Sequence, residues 1–351
     1  MSAQEFMQRA MQLARKGHGT TWPNPMVGAV LVKNNTIIGE GYHLRSGENH
    51  AEINAIEDAT ESVEGSTLFV NLEPCCHLNK KTPPCAQRLI KEKIKEVFIA
   101  NLDPNPEVSG NGVKLLEEAG IKVETGLLAQ EGEKLNEVFF LAQREKRAFV
   151  HLKLATTLDG MIALPTGESQ WITGDKARTH AHTLRAKSQG ILVGAGTLRA
   201  DDPALTIRLK DYEGEQPWRI VLTKSGNLPK DKKIFQDNWK EKTLIFSESP
   251  LASSPLPSHQ VHQFSGLRDL LKKLFELKII SVLVEGGSQI ATALFQEKLV
   301  DRVSLYQNPS FFGAGIPGLQ DLGIQSLNER ILLKNIESEW IGHDHYITGR
   351  V

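Results

Sequence analysis

The chain has 351 residues, 42 acidic against 41 basic, a net charge of −1, and a composition 40% hydrophobic and 24% charged. That balance belongs to a globular protein with room for two ordinary domains, and it excludes a general electrostatic attraction to nucleic acid or anionic membrane. The longest apolar runs, MVGAVLV and IISVLV, fall far short of the ~18–20 residues needed to span a bilayer. Three cysteines are too few, and odd in number, for a disulfide framework, so a reducing, cytoplasmic setting is expected.

The opening stretch MSAQEFMQRAMQLARKG sets Met7, Ala10, Met11 and Ala14 at helical spacing and lacks the layout of a secretion signal. MVGAVLVKNNTIIGEGYH reads as two strands joined at Asn34–Asn35. HAEINAIEDA is helical, STLFVNLEP is a strand stopped by Pro74, CAQRLIKEKI is a helix and EVFIANLDP a strand. GVKLLEEAGIKVETG gives a helix, a stop at Gly120 and a strand, and QEGEKLNEVFFLAQREKR gives one helix ending in a basic cluster. Near residue 146 the rhythm breaks, and AFVHLKLATTLDG starts a new strand, which divides the chain into 1–146 and 147–351. The second part alternates again: GILVGAG, RIVLT, TLIFS and IISVLVEGG are strands, the last leading into the helix SQIATALFQEKL, with a Ser/Pro-rich loop at 247–258. Both parts are α/β, with a parallel or mixed sheet covered by helices.

The chemistry-bearing stretch of the first part is NLEPCCHLNKKTPPC, residues 71–85, which holds all three cysteines. HAE at 50–52 stands upstream at a helix start. One His and two Cys make a soft N/S shell suited to zinc, and three protein ligands leave the fourth position for water, the catalytic arrangement. Glu52 lies two residues from His50, close enough to move protons without binding metal. H-x-E followed by P-C-x-x-C is the zinc-deaminase signature. Here Cys75 and Cys85 are separated by nine residues. Either they are the ligand pair around an enlarged loop, or an inner residue replaces one. A structural zinc site completed by Cys76 or His77 is the competing reading. Asn24 offers a donor and an acceptor to a pyrimidine edge, and His77 with Lys80 or Lys81 suits a phosphate.

In the second part, SVLVEGGSQIATALF is a strand, a Gly pair and a helix, a turn that aims backbone N–H groups at an anion. ILVGAGTLRADDP is a second strand ending in G-x-G. Neither fits G-x-G-x-x-G, so the standard dinucleotide fingerprint is absent.

The chain resembles the bifunctional deaminase-reductase family of bacterial riboflavin biosynthesis nearly end to end. The resemblance is carried by PNPMVGAV at 23–30, GENHAE at 47–52, LEPCCHLNKKTPPC at 72–85, DPNPEVSGNG at 103–112, LKLATTLDG at 152–160, WITG at 171–174, ILVGAGTLRADDPALTIR at 191–208 and VEGG at 284–287. It implies a cytidine-deaminase-like three-layer α/β/α domain followed by a dihydrofolate-reductase-like α/β domain. It implies His50, Cys75 and Cys85 on zinc, Glu52 as the proton carrier, and Asn24, His43, His77 and Lys80 on a diamino-ribosylaminopyrimidinone phosphate that loses its 2-amino group. For the second domain it implies NADPH, with hydride going to C1′ of the ribosyl group. Substrate contacts there would be Lys153, Arg185, Leu205, Arg208 and Glu285, with Asp201 catalytic, and Arg185 and Arg208 a phosphate clamp. Cofactor contacts would be Ala155, Trp171, Thr173, Gly194, Gly196, Thr197 and Gly287. Relatives carry Ser where this chain has Cys76, a basic residue at Met161, RPF for its RAF, and DAI for its QGI at 189–191. The resemblance also implies a homo-oligomer whose partners are phosphorylated pyrimidines, with no nucleic acid and no membrane. The rival readings are a deaminase of nucleic-acid bases, against which the near-neutral charge argues, and a non-catalytic metal protein.

Overall fold

The computed structural model describes residues 1–76, 84–105, 109–251 and 253–351, which form two compact units, Met1–Lys146 and Arg147–Val351. No helix among the described residues is long and apolar enough to cross a membrane.

The first unit opens with α1 (Ala3–Ala14), started by a reciprocal cap between Ser2 and Glu5. Strands β1 (Gly28–Lys33) and β2 (Thr36–Tyr42) form the hairpin expected from the sequence. Asn34 and Asn35 both take left-handed backbone, φ 51° and 61°, which a two-residue turn between twisted strands requires. Then come α2 (Ala51–Glu57), β3 (Thr67–Leu72), α3 (Cys85–Lys91), β4 (Glu96–Asn101), α4 (Asn111–Glu118), β5 (Lys122–Thr125), α5 (Ala129–Leu135) and α6 (Glu137–Glu145). The sheet order is β2-β1-β3-β4-β5, with β1 antiparallel to its neighbours and β3, β4 and β5 parallel. Alternation along β1 splits the core. Ala29 and Leu31 pack with Ala51, Ala55, Leu89 and Leu116 of α2 to α4. Val30 and Val32 pack with Met7, Ala10 and Met11 of α1. The result is three layers, α/β/α.

The sequence predicts one helix across residues 130–147, but the structure breaks it at Asn136, whose backbone leaves helical geometry (φ −111°, ψ 28°). Asn136 is buried, and its side chain pairs with both polar groups of the Met26 backbone. Oδ1 accepts the Met26 N–H at 2.8 Å, and Nδ2 donates to the Met26 carbonyl at 2.8 Å. The amide replaces a missing strand neighbour there, and this tertiary pairing outweighs helix continuity.

The second unit runs β6 (Phe149–Thr157), β7 (Met161–Ala163), α7 (Asp175–Ala186), β8 (Gly190–Gly194), α8 (Ala195–Asp201), β9 (Trp218–Thr223), β10 (Thr243–Ser247) and β11 (Val261–Gln263). It continues with α9 (Leu267–Glu276), β12 (Ser281–Val284), α10 (Ser288–Gln296), β13 (Arg302–Asn308), β14 (Ile316–Pro317), β15 (Lys334–Ile341) and β16 (Asp344–Arg350). Nine strands lie in the order β11-β10-β9-β8-β12-β6-β13-β16-β15, parallel up to β13 and antiparallel at the β16 and β15 edge, while β7 pairs with β14 apart from them. Val150, Leu152, Val282 and Val284 face α9 and α10. The opposite face meets α7 through Leu283, Tyr306 and Tyr346, and α8 through Ile191 and Val193. His151, Lys153 and Ala155 alternate with Leu152 and Leu154, so they point to the α7 side.

Candidate active sites

In the first unit His50 is the N-cap of α2, in extended backbone, so its ring leaves the helix axis. The helix can sit against β2 because Gly41 has no side chain. A Cβ there would lie 2.3 Å from the Ala51 carbonyl oxygen. Cys75 follows the strand stop at Pro74, and Cys85 is the first residue of α3. The three converge: Cys75 Sγ lies 3.6 Å and Cys85 Sγ 3.3 Å from His50 Nδ1, and all three ligand atoms fall within 4.8 Å of one another. Ligands on a tetrahedral zinc, with Zn–S and Zn–N near 2.3 and 2.0–2.1 Å, would stand about 3.5 Å apart. The donor set therefore fits zinc in both chemistry and spacing.

Glu52 is buried beside this cluster and is hydrogen-bonded with Cys85. Burial raises its carboxyl above the ordinary value, against the pull of His50, and Cys75 adds to the rise. The neighbouring Cys75 and burial also push the Cys85 thiol up.

The walls are set from a distance in sequence. Asn24 Nδ2 lies 3.2 Å from His43 Nε2, and His43 Nδ1 lies 3.1 Å from the Asn49 carbonyl oxygen. That carbonyl can only accept, so His43 carries its proton on Nδ1 and accepts from Asn24 through Nε2. The His43 ring meets the His50 ring edge-on at 5.3 Å. Asn71 Oδ1 accepts the Gly28 N–H at 2.8 Å while its Nδ2 donates to the Met26 carbonyl at 3.0 Å. Asn71 and Asn136 thus hold the segment that carries Asn24. The sequence reading missed both, although an Asn inside the buried strand TLFVNL was a signal. His77, Lys80 and Lys81 lie outside the described residues.

In the second unit the two Gly turns are neighbours, because β8 and β12 pair in parallel. A Cβ on Gly286 would lie 3.7 Å from the Gly194 nitrogen, and one on Gly287 3.8 Å from Thr197 Oγ1. Gly196 has open space around it. The buried Ser288 Oγ at the start of α10 has no hydrogen-bond partner among the described residues. An open turn and an orphaned hydroxyl fit a phosphate-bearing cofactor. Trp171 is 66% exposed, and the Arg178 guanidinium stands 4.5 Å from the centre of its ring, so it is a surface platform and not core. Thr173 is buried, and Ala155 is half-buried.

The expected substrate residues form a charged cluster around Glu285. Arg185 Nε and Nη2 donate to the two Glu285 oxygens at 2.7 and 2.9 Å, and Arg185 Nη1 donates to the Thr206 carbonyl at 2.8 Å. Burial pushes the Glu285 carboxyl up, but Arg185 and Lys153 pull it down to about 2. Lys153 is pulled below its ordinary value, mainly by burial and also by Arg185, with Glu285 opposing. Burial raises Asp201 at the end of α8, and a hydrogen bond from Gln170 opposes. Leu205 is buried with φ 50°, a left-handed backbone that bulky residues rarely take.

The chain matches two protein families, the cytidine and deoxycytidylate deaminase zinc-binding region over residues 1–101 and the RibD C-terminal domain over 148–347. It is 40% identical to the riboflavin biosynthesis protein RibD of Aquifex aeolicus over 97% of this chain and 96% of that protein. With the Escherichia coli RibD it shares 38% identity over 98% of each. Among solved structures, Acinetobacter baumannii RibD superposes with a TM-score of 0.90 at 35% identity, covering 99% of both chains. A Thermotoga maritima diaminohydroxyphosphoribosylaminopyrimidine deaminase/5-amino-6-(5-phosphoribosylamino)uracil reductase superposes with a TM-score of 0.86 at 40% identity, covering 99% of this chain and 98% of that one. With deaminase and reductase halves both matched and relatives aligned along almost its whole length, the chain belongs to the RibD family of bifunctional riboflavin biosynthesis enzymes.

Proposed function

We propose that the first unit deaminates a diaminohydroxyphosphoribosylaminopyrimidine and that the second, with NADPH, reduces the ribosyl group of the resulting 5-amino-6-(5-phosphoribosylamino)uracil to ribityl. These are the activities named for the Thermotoga maritima relative. The observation that supports the reading most directly is the convergence of His50, Cys75 and Cys85 with the buried Glu52 beside them.

Zinc held by those three residues would lower the pKa of water toward neutrality and so supply a nucleophile for the amidine carbon. Glu52 takes the proton from the attacking water and passes it to the departing amine, which leaves as ammonia. Burial favours the protonated carboxyl that this second transfer needs. Asn24, held by His43, presents its amide to the pyrimidine edge. His77 and Lys80 serve the phosphate of this substrate.

In the second unit NADPH supplies the hydride. Gly194, Gly196, Thr197 and Gly287 form its phosphate turn, while Ala155, Trp171 and Thr173 line the rest. The raised carboxyl of Asp201 supplies a proton to the opening ribosyl ring. Arg185 is engaged by Glu285 and Thr206, so the pair braces the site while the exposed Arg208 takes the phosphate. Lys153 and Leu205 complete the substrate wall. A cytoplasmic homo-oligomer belongs to the same reading.

The test is a coupled assay on the full chain that follows ammonia and NADPH with and without a zinc chelator. Chelation should stop ammonia release from the diaminopyrimidine phosphate while reduction of added 5-amino-6-(5-phosphoribosylamino)uracil continues. Ammonia release that survives complete zinc removal would sink the deaminase assignment.

A further inference from the structure

The backbone of residues 205–208 is held by side chains remote in sequence. Gln216 pairs with both polar groups of Ile207, accepting its N–H at 2.7 Å and donating to its carbonyl at 3.2 Å. Arg185 donates to the Thr206 carbonyl at 2.8 Å. One turn earlier on α7, His182 Nδ1 accepts the Arg208 N–H at 3.2 Å. His182 and Arg185, three apart, share one face of the helix, so α7 grips the segment at two points. Directly before the grip stands the buried Leu205 in left-handed backbone, a conformation that persists only where surroundings impose it.

Resting on the reductase reading above, we propose that His182 is a positioning residue of the second site. As a neutral imidazole it accepts the Arg208 N–H and fixes the direction in which Arg208 meets the substrate phosphate. A backbone N–H can only donate, so Nδ1 is unprotonated and the ring proton sits on Nε2. The surroundings favour this form. Burial, then Arg185 on the same helix and Arg208 opposite, with Lys153 from β6, lower His182 to about 4, against the single opposing charge of Glu285. A protonated ring would lose the bond from Arg208 and add a positive charge among three.

The test compares wild type with His182→Asn, His182→Gln and His182→Leu in the zinc-loaded full chain. Asn Oδ1 can stand in for Nδ1, Gln places its amide near Nε2, and Leu offers no acceptor. For 5-amino-6-(5-phosphoribosylamino)uracil, Leu and Gln should raise KM roughly tenfold, the loss of about one hydrogen bond. Asn should stay near wild type, and kcat, the KM for NADPH and ammonia release should barely move. Hydrogen exchange of the 205–208 amides should speed up in the Leu and Gln variants and not in Asn. Rescue by Gln instead of Asn, or an unchanged KM in all three, overturns the proposal. If Leu does not fold, the Asn and Gln pair carries the comparison. If wild type oxidises no NADPH on this substrate, the reductase reading fails by itself. Exchange then decides the role of His182, and equal rates in wild type and the Gln variant refute it.

Discussion

The Glu73 carboxylate, two residues before Cys75, accepts at 2.9 Å the N–H of Gly112 at the start of α4. It also accepts from Asp103, Gly110 and Val113 at 3.1, 3.0 and 3.3 Å, so four backbone donors end on one buried side chain. Gly112 is required for this approach, since a Cβ there would lie 2.3 Å from the Pro74 carbonyl oxygen. Glu73 ties the strand end that delivers Cys75 to the next loop and helix. Glu73→Gln keeps the shape, loses the charge and aims an amide nitrogen at donors. It should cost about 1–3 kcal/mol of stability and weaken zinc retention. Thermal unfolding and zinc content after dialysis measure both, and a variant with wild-type values for each would refute the role.

Glu52→Gln should abolish ammonia release while the purified protein still carries about one zinc, because the candidate ligand atoms belong to His50, Cys75 and Cys85. Removing a positioned proton carrier typically slows such a step by about 10²–10⁴-fold. Metal analysis beside the ammonia assay separates this from loss of the site, and wild-type turnover would show that another group moves the proton.

Asp201→Asn should reduce NADPH oxidation on the deaminated substrate by at least about 10²-fold and leave ammonia release unchanged. An amide keeps the Gln170 neighbour and loses only the transferable proton. Equal loss of both activities would point to damage to the fold.

Acid sensitivity should come partly from His151. Burial, then Arg302 and Lys187, lower it from 6.5 to about 3, and its Nε2 lies 2.8 Å from Ser304 Oγ between β6 and β13. Its folded pKa lies below the unfolded one, so between pH 6.5 and 3 the unfolded chain binds a proton that the folded chain does not. Stability therefore falls as pH falls through that window and is unaffected by this group above it. His182 adds the same sign between 6.5 and about 4. The midpoint of unfolding followed from pH 7 to 4.5 should drop less steeply in His151→Gln than in wild type.

Much of this was legible in the sequence because local chemistry encodes it. Asn34–Asn35 supplies the two left-handed residues a tight hairpin needs, Pro74 stops β3, and His-x-Glu at a helix start puts His50 and Glu52 on one site. What escaped was set by partners far along the chain. The break at Asn136 exists for Met26, 110 positions away, and the fork of Arg185 is met by Glu285, 100 positions on, a pairing that no local pattern announces. The strands after residue 300 were not read. In β15 nearly every residue is exposed, so no two-residue alternation marks it.

The Asn136 pairing also sets a lower limit on how short a working deaminase can be cut. The zinc-binding region recognised by homology ends at residue 101, and it contains His50, Cys75 and Cys85, the candidate metal ligands. A fragment trimmed there would keep those three residues and lose the Asn136 amide, leaving the Met26 carbonyl to Asn71 and the Met26 N–H without its acceptor. The portable unit for grafting or for separate expression therefore extends at least through Asn136. The break between α5 and α6 is what fastens the Met26 segment.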